Sequence, residues 1–188
     1  MDVFLRRMQP DDINQTWLMY LSFEPKGEFQ GLPPVTPELT REWLRKLVLD
    51  NATQFVLEIG ERVIGHSMLC PGATLGEAEL GIFIHQGYRG RGLGKRLLLG
   101  TLHYGCKQLA LSRVWLSVQT GNTAALECFK SAGFCPVEPA GPLTWELDMQ
   151  RPSHCEHCRG DECPAFRETL PRLLVIAHHP RHKPDRLS

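Results

Sequence analysis

Arg89-Gly90-Arg91-Gly92-Leu93-Gly94-Lys95-Arg96 carries the clearest chemistry in this chain. Three glycines between positions 90 and 94 permit tight turns and bring backbone N–H groups close to a ligand. A helical pattern opens here and runs to about Leu109. Its first turn adds unpaired N–H donors and the positive end of a dipole. Arg89, Arg91, Lys95 and Arg96 crowd that same end. Cations there are unfavourable for an isolated helix, and a bound polyanion resolves the conflict. The stretch is therefore expected to cradle a diphosphate. Two common phosphate loops fail on spacing. A Walker loop needs glycine where Arg89 stands and Ser or Thr where Arg96 stands. A dinucleotide fingerprint fits Gly90 and Gly92 but finds Lys95 at its third glycine.

What matches is Arg/Gln-x-x-Gly-x-Gly/Ala, as Arg89-x-x-Gly92-x-Gly94. Further on stand Val114-Trp115-Leu116-Ser117-Val118, Asn122-x-x-Ala125, Phe129 and Gly133-Phe134. On these motifs the chain from about Val3 to Leu147 resembles the GNAT superfamily of N-acetyltransferases. The resemblance implies that Arg89, Gly90, Arg91, Gly92, Leu93, Gly94 and Lys95 hold the pyrophosphate of acetyl-CoA. It implies that Ile82, Phe83 and Ile84 run beside the pantetheine arm, and that the backbone N–H of Phe83 or a near neighbour polarises the thioester carbonyl. Asn122 would contact the same arm or hold two strands apart, and as the residue before a helix it is also a good N-cap. The implied reaction is direct attack of a primary amine on the thioester, in a ternary complex.

Such an amine has a reference pKa near 10.4, so roughly one molecule in a few thousand is free base at pH 7. A base must take its proton, and the departing thiolate must regain one. The resemblance puts the base on the strand that leads into the loop. Glu79 is the first candidate there and Glu77 the second; a solvated carboxylate on an open sheet face is the competing account of Glu79. Many members of the superfamily carry a tyrosine as general acid seven residues after the motif Asn. Phe129 stands there and has no proton to give. Cys128, Tyr88 and solvent are the remaining donors. His66, His85 and His103 read as packing or surface residues. Glu24, Glu28 and Glu38 could receive a cationic amine, or be ordinary solvated charge. A non-catalytic acyl-CoA-binding or metal-responsive module on the same fold is the competing function.

The elements that must position these residues follow from periodicity. Val3 to Met8 alternates as a strand. Asp11 or Asp12 can cap a helix to Tyr20, and Thr36 with Pro37 opens another. Gln54 to Ile59 and Arg62 to Leu69 form a hairpin about Gly60-Glu61. From Gly76 to His85, Ala78, Leu80, Ile82 and Ile84 share one face and Glu77, Glu79, Phe83 and His85 the other. Gly133 should close the last helix as a left-handed cap with Phe134 as its apolar contact, and Leu143 to Leu147 reads as a closing strand. The expected class is α+β, a mixed and mostly antiparallel sheet with helices on both faces. Residues 1–150 form this domain and 151–188 an appendage.

That appendage holds five of the eight histidines and three of the seven cysteines. Cys155, Cys158 and Cys163, with His157, have the spacing of a soft-metal site such as zinc, yet only three thiols are local. A metal site and a loosely folded reduced tail both fit. A net charge of zero argues against nucleic acid or an anionic membrane as partner. No apolar run approaches the roughly 18 residues that would span a bilayer. Met1 to Arg7 has no secretory pattern, and seven cysteines do not suggest a secreted disulfide scaffold. A reducing cytoplasm is the expected compartment. Acceptor identity and oligomeric state are not encoded in any motif.

Overall fold

The alternation of buried and exposed positions resolves into seven strands and four α-helices in a computed structural model that describes residues 2–28, 31–141 and 144–150. The strands are β1 (Val3–Arg7), β2 (Thr53–Ile59), β3 (Arg62–Pro71), β4 (Glu77–Ile84), β5 (Arg113–Gln119), β6 (Cys135–Gly141) and β7 (Thr144–Gln150). The helices are α1 (Ile13–Leu21), α2 (Pro37–Leu49), α3 (Leu93–Gln108) and α4 (Thr123–Ser131). One sheet runs in the order β1-β2-β3-β4-β5-β7-β6. Only β4 and β5 pair parallel; every other neighbouring pair is antiparallel.

Each face of the sheet has its own core. On one, Ala78 and Leu80 of β4 meet Leu93, Leu97, Leu98 and Leu102 of α3 and Phe129 of α4. On the other, Phe83 of β4 meets Met19 and Tyr20 of α1 and Leu44 and Leu47 of α2. The two-residue period of β4 thus sorts its side chains between two helix layers.

Helix ends follow local chemistry. Thr36 accepts from the Leu39 N–H with Pro37 next in line, and Asn122 accepts from the Ala125 N–H. Gly133 has φ +99°. The Phe134 N–H donates to the Phe129 carbonyl and the Gly133 N–H to that of Lys130. With the two phenyl rings 5.8 Å apart, this is a complete Schellman cap. Asp12 departs from expectation. It precedes α1 without a side-chain capping bond, because its carboxylate is held by Arg6 (2.5 and 2.7 Å) and by the Gln9 N–H. The same guanidinium reaches Glu58 on β2, so Asp12 ties β1 and β2 to the start of α1.

Strand β6 is the element that the sequence hides. Pro136 and Pro139 argue against a strand, but β6 pairs on one side only, with β7. Proline is tolerated at such an edge, where a missing N–H breaks no ladder.

Candidate active site

The register between β4 and β5 is Glu77↔Arg113, Ala78↔Val114 and Glu79↔Trp115, and it goes no further. Beyond it β4 keeps its pairing with β3 as far as Ile84, and β5 keeps its pairing with β7 as far as Gln119. The two strands therefore part in a V whose apex is Glu79 and Trp115. A cleft of about 920 Å³ occupies the opening. Ile82, Phe83, Ile84, Arg89, Gly90, Gly92, Gly94, Lys95 and Asn122 line it, so most of the residues singled out from the sequence come together there.

The glycine loop sits at the mouth. Gly90 has φ +73° and Gly92 φ +72°, a region that L side chains avoid. A Cβ on either would meet nothing within 4 Å, so conformation alone demands glycine. Gly92 is the N-cap of α3, and the ladder opens with the Arg96 N–H on the Gly92 carbonyl. The N–H groups of Leu93, Gly94 and Lys95 precede that bond and lack intrahelical acceptors. A Cβ on Gly94 would touch only Ile84, at 3.7 Å, which leaves the ligand side of this turn open. Three orphan donors, a dipole end and the exposed Lys95 at one rim fit a diphosphate.

Two loop residues differ from their expected roles. Leu93 is 6% exposed and packs in the α3 core, so only its backbone can serve a ligand. The Arg91 guanidinium lies over the Tyr88 ring and donates to the Gly87 carbonyl. Neither side chain lines the cleft, and Tyr88 does not either.

The backbone of β4 alternates as well. The Gly72 N–H donates to Glu77 and the His85 N–H to Ile64, with unbroken register between. Residues 77, 79, 81, 83 and 85 thus direct their amides to β3. The Phe83 N–H is spent in the ladder with His66. The amides turned toward the splay are those of Leu80, Ile82 and Ile84, so the donor expected at Phe83 or a near neighbour would have to come from a neighbour. The Phe83 ring still walls the cleft.

Glu79 stands at the apex on the α1/α2 face. Partial burial, and then the charge of Glu146 on β7, raise its pKa from the ordinary carboxylate value. Glu77 is 3.5 Å from Arg113, which also holds Asp148 at 2.7 Å and Glu146 at 3.7 Å, so its carboxylate is engaged in an ion-pair cluster. On the far wall Phe129 is 6% exposed and carries no hydroxyl. Cys128 lines the cleft beside it, its thiol pushed up by burial against the opposing effect of Lys95.

Beneath Phe83 the Tyr20 hydroxyl lies 2.9 Å from His66 Nδ1, and His66 Nε2 lies 3.1 Å from Gln54 Oε1. Burial drives the His66 pKa down to about 3 and the Tyr20 pKa up. The imidazole is therefore neutral at pH 7. It holds the aromatic wall and is no proton carrier, in line with its sequence reading. His85 instead accepts from the Gly87 N–H and lies 3.2 Å from Ser22 Oγ.

A family model described as the acetyltransferase (GNAT) family matches residues 16–134, more than half of the chain. The chain belongs to the GNAT acetyltransferase family. Solved structures agree on the fold. A GNAT-family acetyltransferase from Streptococcus pneumoniae is 21% identical with a TM-score of 0.64, over 80% of this chain and all of that one. The ribosomal-protein-alanine N-acetyltransferase of Brucella melitensis is 18% identical with a TM-score of 0.65, over 79% and 99%. A variant of the spermidine N-acetyltransferase of Vibrio cholerae is 20% identical with a TM-score of 0.62, over 78% and 94%. A search of curated proteins by sequence finds no match.

The residues matched by the GNAT family include both the glycine loop, on which the resemblance rests, and the strands that part in the V. Sequence reasoning missed Gln119, which lines the cleft and donates to the Glu28 carbonyl, and Phe23 and Pro25 beside it. These sit in a Gly/Pro-rich loop and at a strand end with no motif to mark them. Of the three acids named for the acceptor, only Glu28 lines the cleft. Among the described residues no group of three or more His, Cys, Asp or Glu is placed to hold a metal ion. Cys155, Cys158, Cys163 and His157 lie outside the described residues. Among the described residues no helix is long and apolar enough to cross a membrane.

Proposed function

We propose that this GNAT protein is an N-acetyltransferase that uses acetyl-CoA to acetylate a primary amine in the cytoplasm. The observation that carries the reading is the parting of β4 from β5, with orphan N–H donors at its mouth and a half-buried carboxylate at its apex. Bound there, acetyl-CoA would supply an acetyl group activated as a thioester. Leu93, Gly94 and Lys95 hold the diphosphate through backbone N–H groups and the Lys95 ammonium. The Ile82 and Ile84 amides, free of the β3 ladder, pair along the arm, and the one nearer the apex, Ile82, aims a fixed dipole where negative charge develops. Glu79 accepts the proton of the incoming ammonium, directly or through one water. Its raised pKa brings it closer to the amine it must deprotonate. Glu146 and the exposed Glu28 add negative potential that favours a cationic acceptor. The leaving thiolate takes its proton from solvent, since Phe129 cannot give one.

Acetyl-CoA titrated calorimetrically, followed by thiol release with spermidine, an alanyl peptide and a lysyl peptide, tests the reading. Binding with turnover on at least one amine is expected. Binding without turnover on any class would leave the non-catalytic module, which Phe129 favours, and absence of binding would defeat both.

A further inference from the structure

Segment Ser22–Glu24 leaves α1 and passes over the end of β4, where four side-chain hydrogen bonds and one cation–π contact seize it from the approach to the glycine loop. The Gln86 Nε2 group donates to the Ser22 carbonyl at 2.5 Å, and Gln86 Oε1 accepts from the Glu24 N–H at 2.9 Å. One carboxamide thus pairs with the backbone on both sides of Phe23, as a neighbouring strand would. The Arg89 guanidinium donates at 2.7 Å to the Glu24 carbonyl and at 2.9 Å to the Ile84 carbonyl on β4. Its Cζ lies 5.1 Å over the Phe23 ring. His85 Nε2 meets Ser22 Oγ at 3.2 Å. Phe23 itself is 2% exposed, 5.9 Å from the Phe83 ring, and lines the cleft.

We infer that Gln86 is a positioning residue, and that with Arg89 it clasps Ser22–Glu24 so that Phe23 forms the acceptor-side wall of the cleft. Arg89 lines the cleft and also holds Glu24, so the pyrophosphate loop and this wall share one side chain. A ligand that orders the loop therefore orders the wall, and the donor prepares the site for the acceptor. The kinetic part rests on the N-acetyltransferase reading; the structural part does not. Gln86 lies outside the cleft lining, so its loss is felt through Phe23 and not through the donor.

The test uses the full chain. In the wild type, CoA slows hydrogen exchange at the Phe23 and Glu24 amides. In Gln86→Ala that slowing is lost, while the Kd for CoA changes by less than about threefold. With whichever of spermidine or the alanyl peptide the wild type acetylates, the acceptor KM rises about tenfold, the scale of one net hydrogen bond, and kcat holds within about twofold. Gln86→Glu keeps the oxygen that accepts from Glu24, loses the donor to Ser22, and gives an intermediate KM, which guards against a poorly folded Ala variant. Gln86→Ala and Phe23→Ala are non-additive when combined, as expected for residues acting as a unit. Additive effects, a CoA Kd that rises in step with the acceptor KM, or exchange at Phe23 and Glu24 that ignores CoA would each overturn the clasp. If CoA slows that exchange while no acceptor is acetylated, the clasp stands and the transferase reading fails.

Discussion

Glu79→Gln is the decisive perturbation of the chemistry. An aliphatic ammonium with a pKa near 10.4 and a carboxyl at its ordinary value of 4.5 are separated by about 6 units, or about 8 kcal/mol of uphill proton transfer. Every unit by which burial and Glu146 raise Glu79 removes about 1.4 kcal/mol of that gap. A positioned general base contributes about 10²- to 10⁴-fold, so kcat should fall by that factor, or about 3–5 kcal/mol, with little change in the acetyl-CoA KM. The pH profile gives the stronger test. The wild-type rate falls in acid as Glu79 takes up its proton; the Gln variant loses that limb and tracks only the free amine. Stability should move the other way. With a folded pKa above the unfolded one, the native state binds more protons in that window, so ionisation of Glu79 lowers stability as pH rises through it. Glu79→Gln should therefore melt above the wild type at neutral pH. A variant that keeps both the rate and the acid limb would refute Glu79 as base.

Acid should destabilise the fold through His66. Its folded pKa of about 3 lies below the reference 6.5, so between those values the unfolded chain binds the extra proton. Urea unfolding at pH 7.5 and 5 should show about 2 kcal/mol more loss in the wild type than in His66→Gln, and equal losses would contradict it. Gly92→Ala forces a side chain into φ +72°; chemical denaturation should report a cost of about 1–2 kcal/mol, and calorimetry with CoA a weaker donor. Cys128→Ala should leave kcat within about twofold, since the thiolate reprotonates from solvent; a loss of the order given by a general acid would make Cys128 the donor that Phe129 is not.

Helix caps and strand faces were legible because they are local. Thr36-Pro37, Asn122 and Gly133-Phe134 each place a signal within four residues of the group it satisfies. The two-residue period of β4 likewise separates Glu79 from Leu80 in the sequence alone. The misreadings involve partners on other elements. Asp12 reads as a cap because no local spacing announces Arg6 on β1, whose guanidinium takes its carboxylate and also holds Glu58 on β2. The Phe83 amide looked available because the parity of its ladder is fixed by β3, through the bonds at Glu77 and His85. β6 was hidden because its prolines are harmless only at an edge, and edge position is a property of the whole sheet.

The same distinction divides the site. On the proposed function the donor half is built from backbone: glycines that reach positive φ, orphan amides of one helix turn, and amides freed where β4 leaves β5. Backbone recognition requires a short contiguous motif, and a motif can be read. The acceptor half is built from side chains that meet only in the fold. Phe23 comes from a loop, Phe83 from β4 and Gln119 from β5, all lining the cleft, while Glu79 of β4 and Glu146 of β7 lie outside its lining and feel one another's charge. No spacing rule links them, so no sequence pattern names the amine. Gln86 and Arg89 are where the halves join, because the stretch that leads into the diphosphate loop also fixes the backbone on both sides of Phe23. Acceptor choice can then change by substitution at Phe23, Glu28 or Glu146 without disturbing the glycine loop. Variants at those three positions should shift the preferred amine while the affinity for CoA holds.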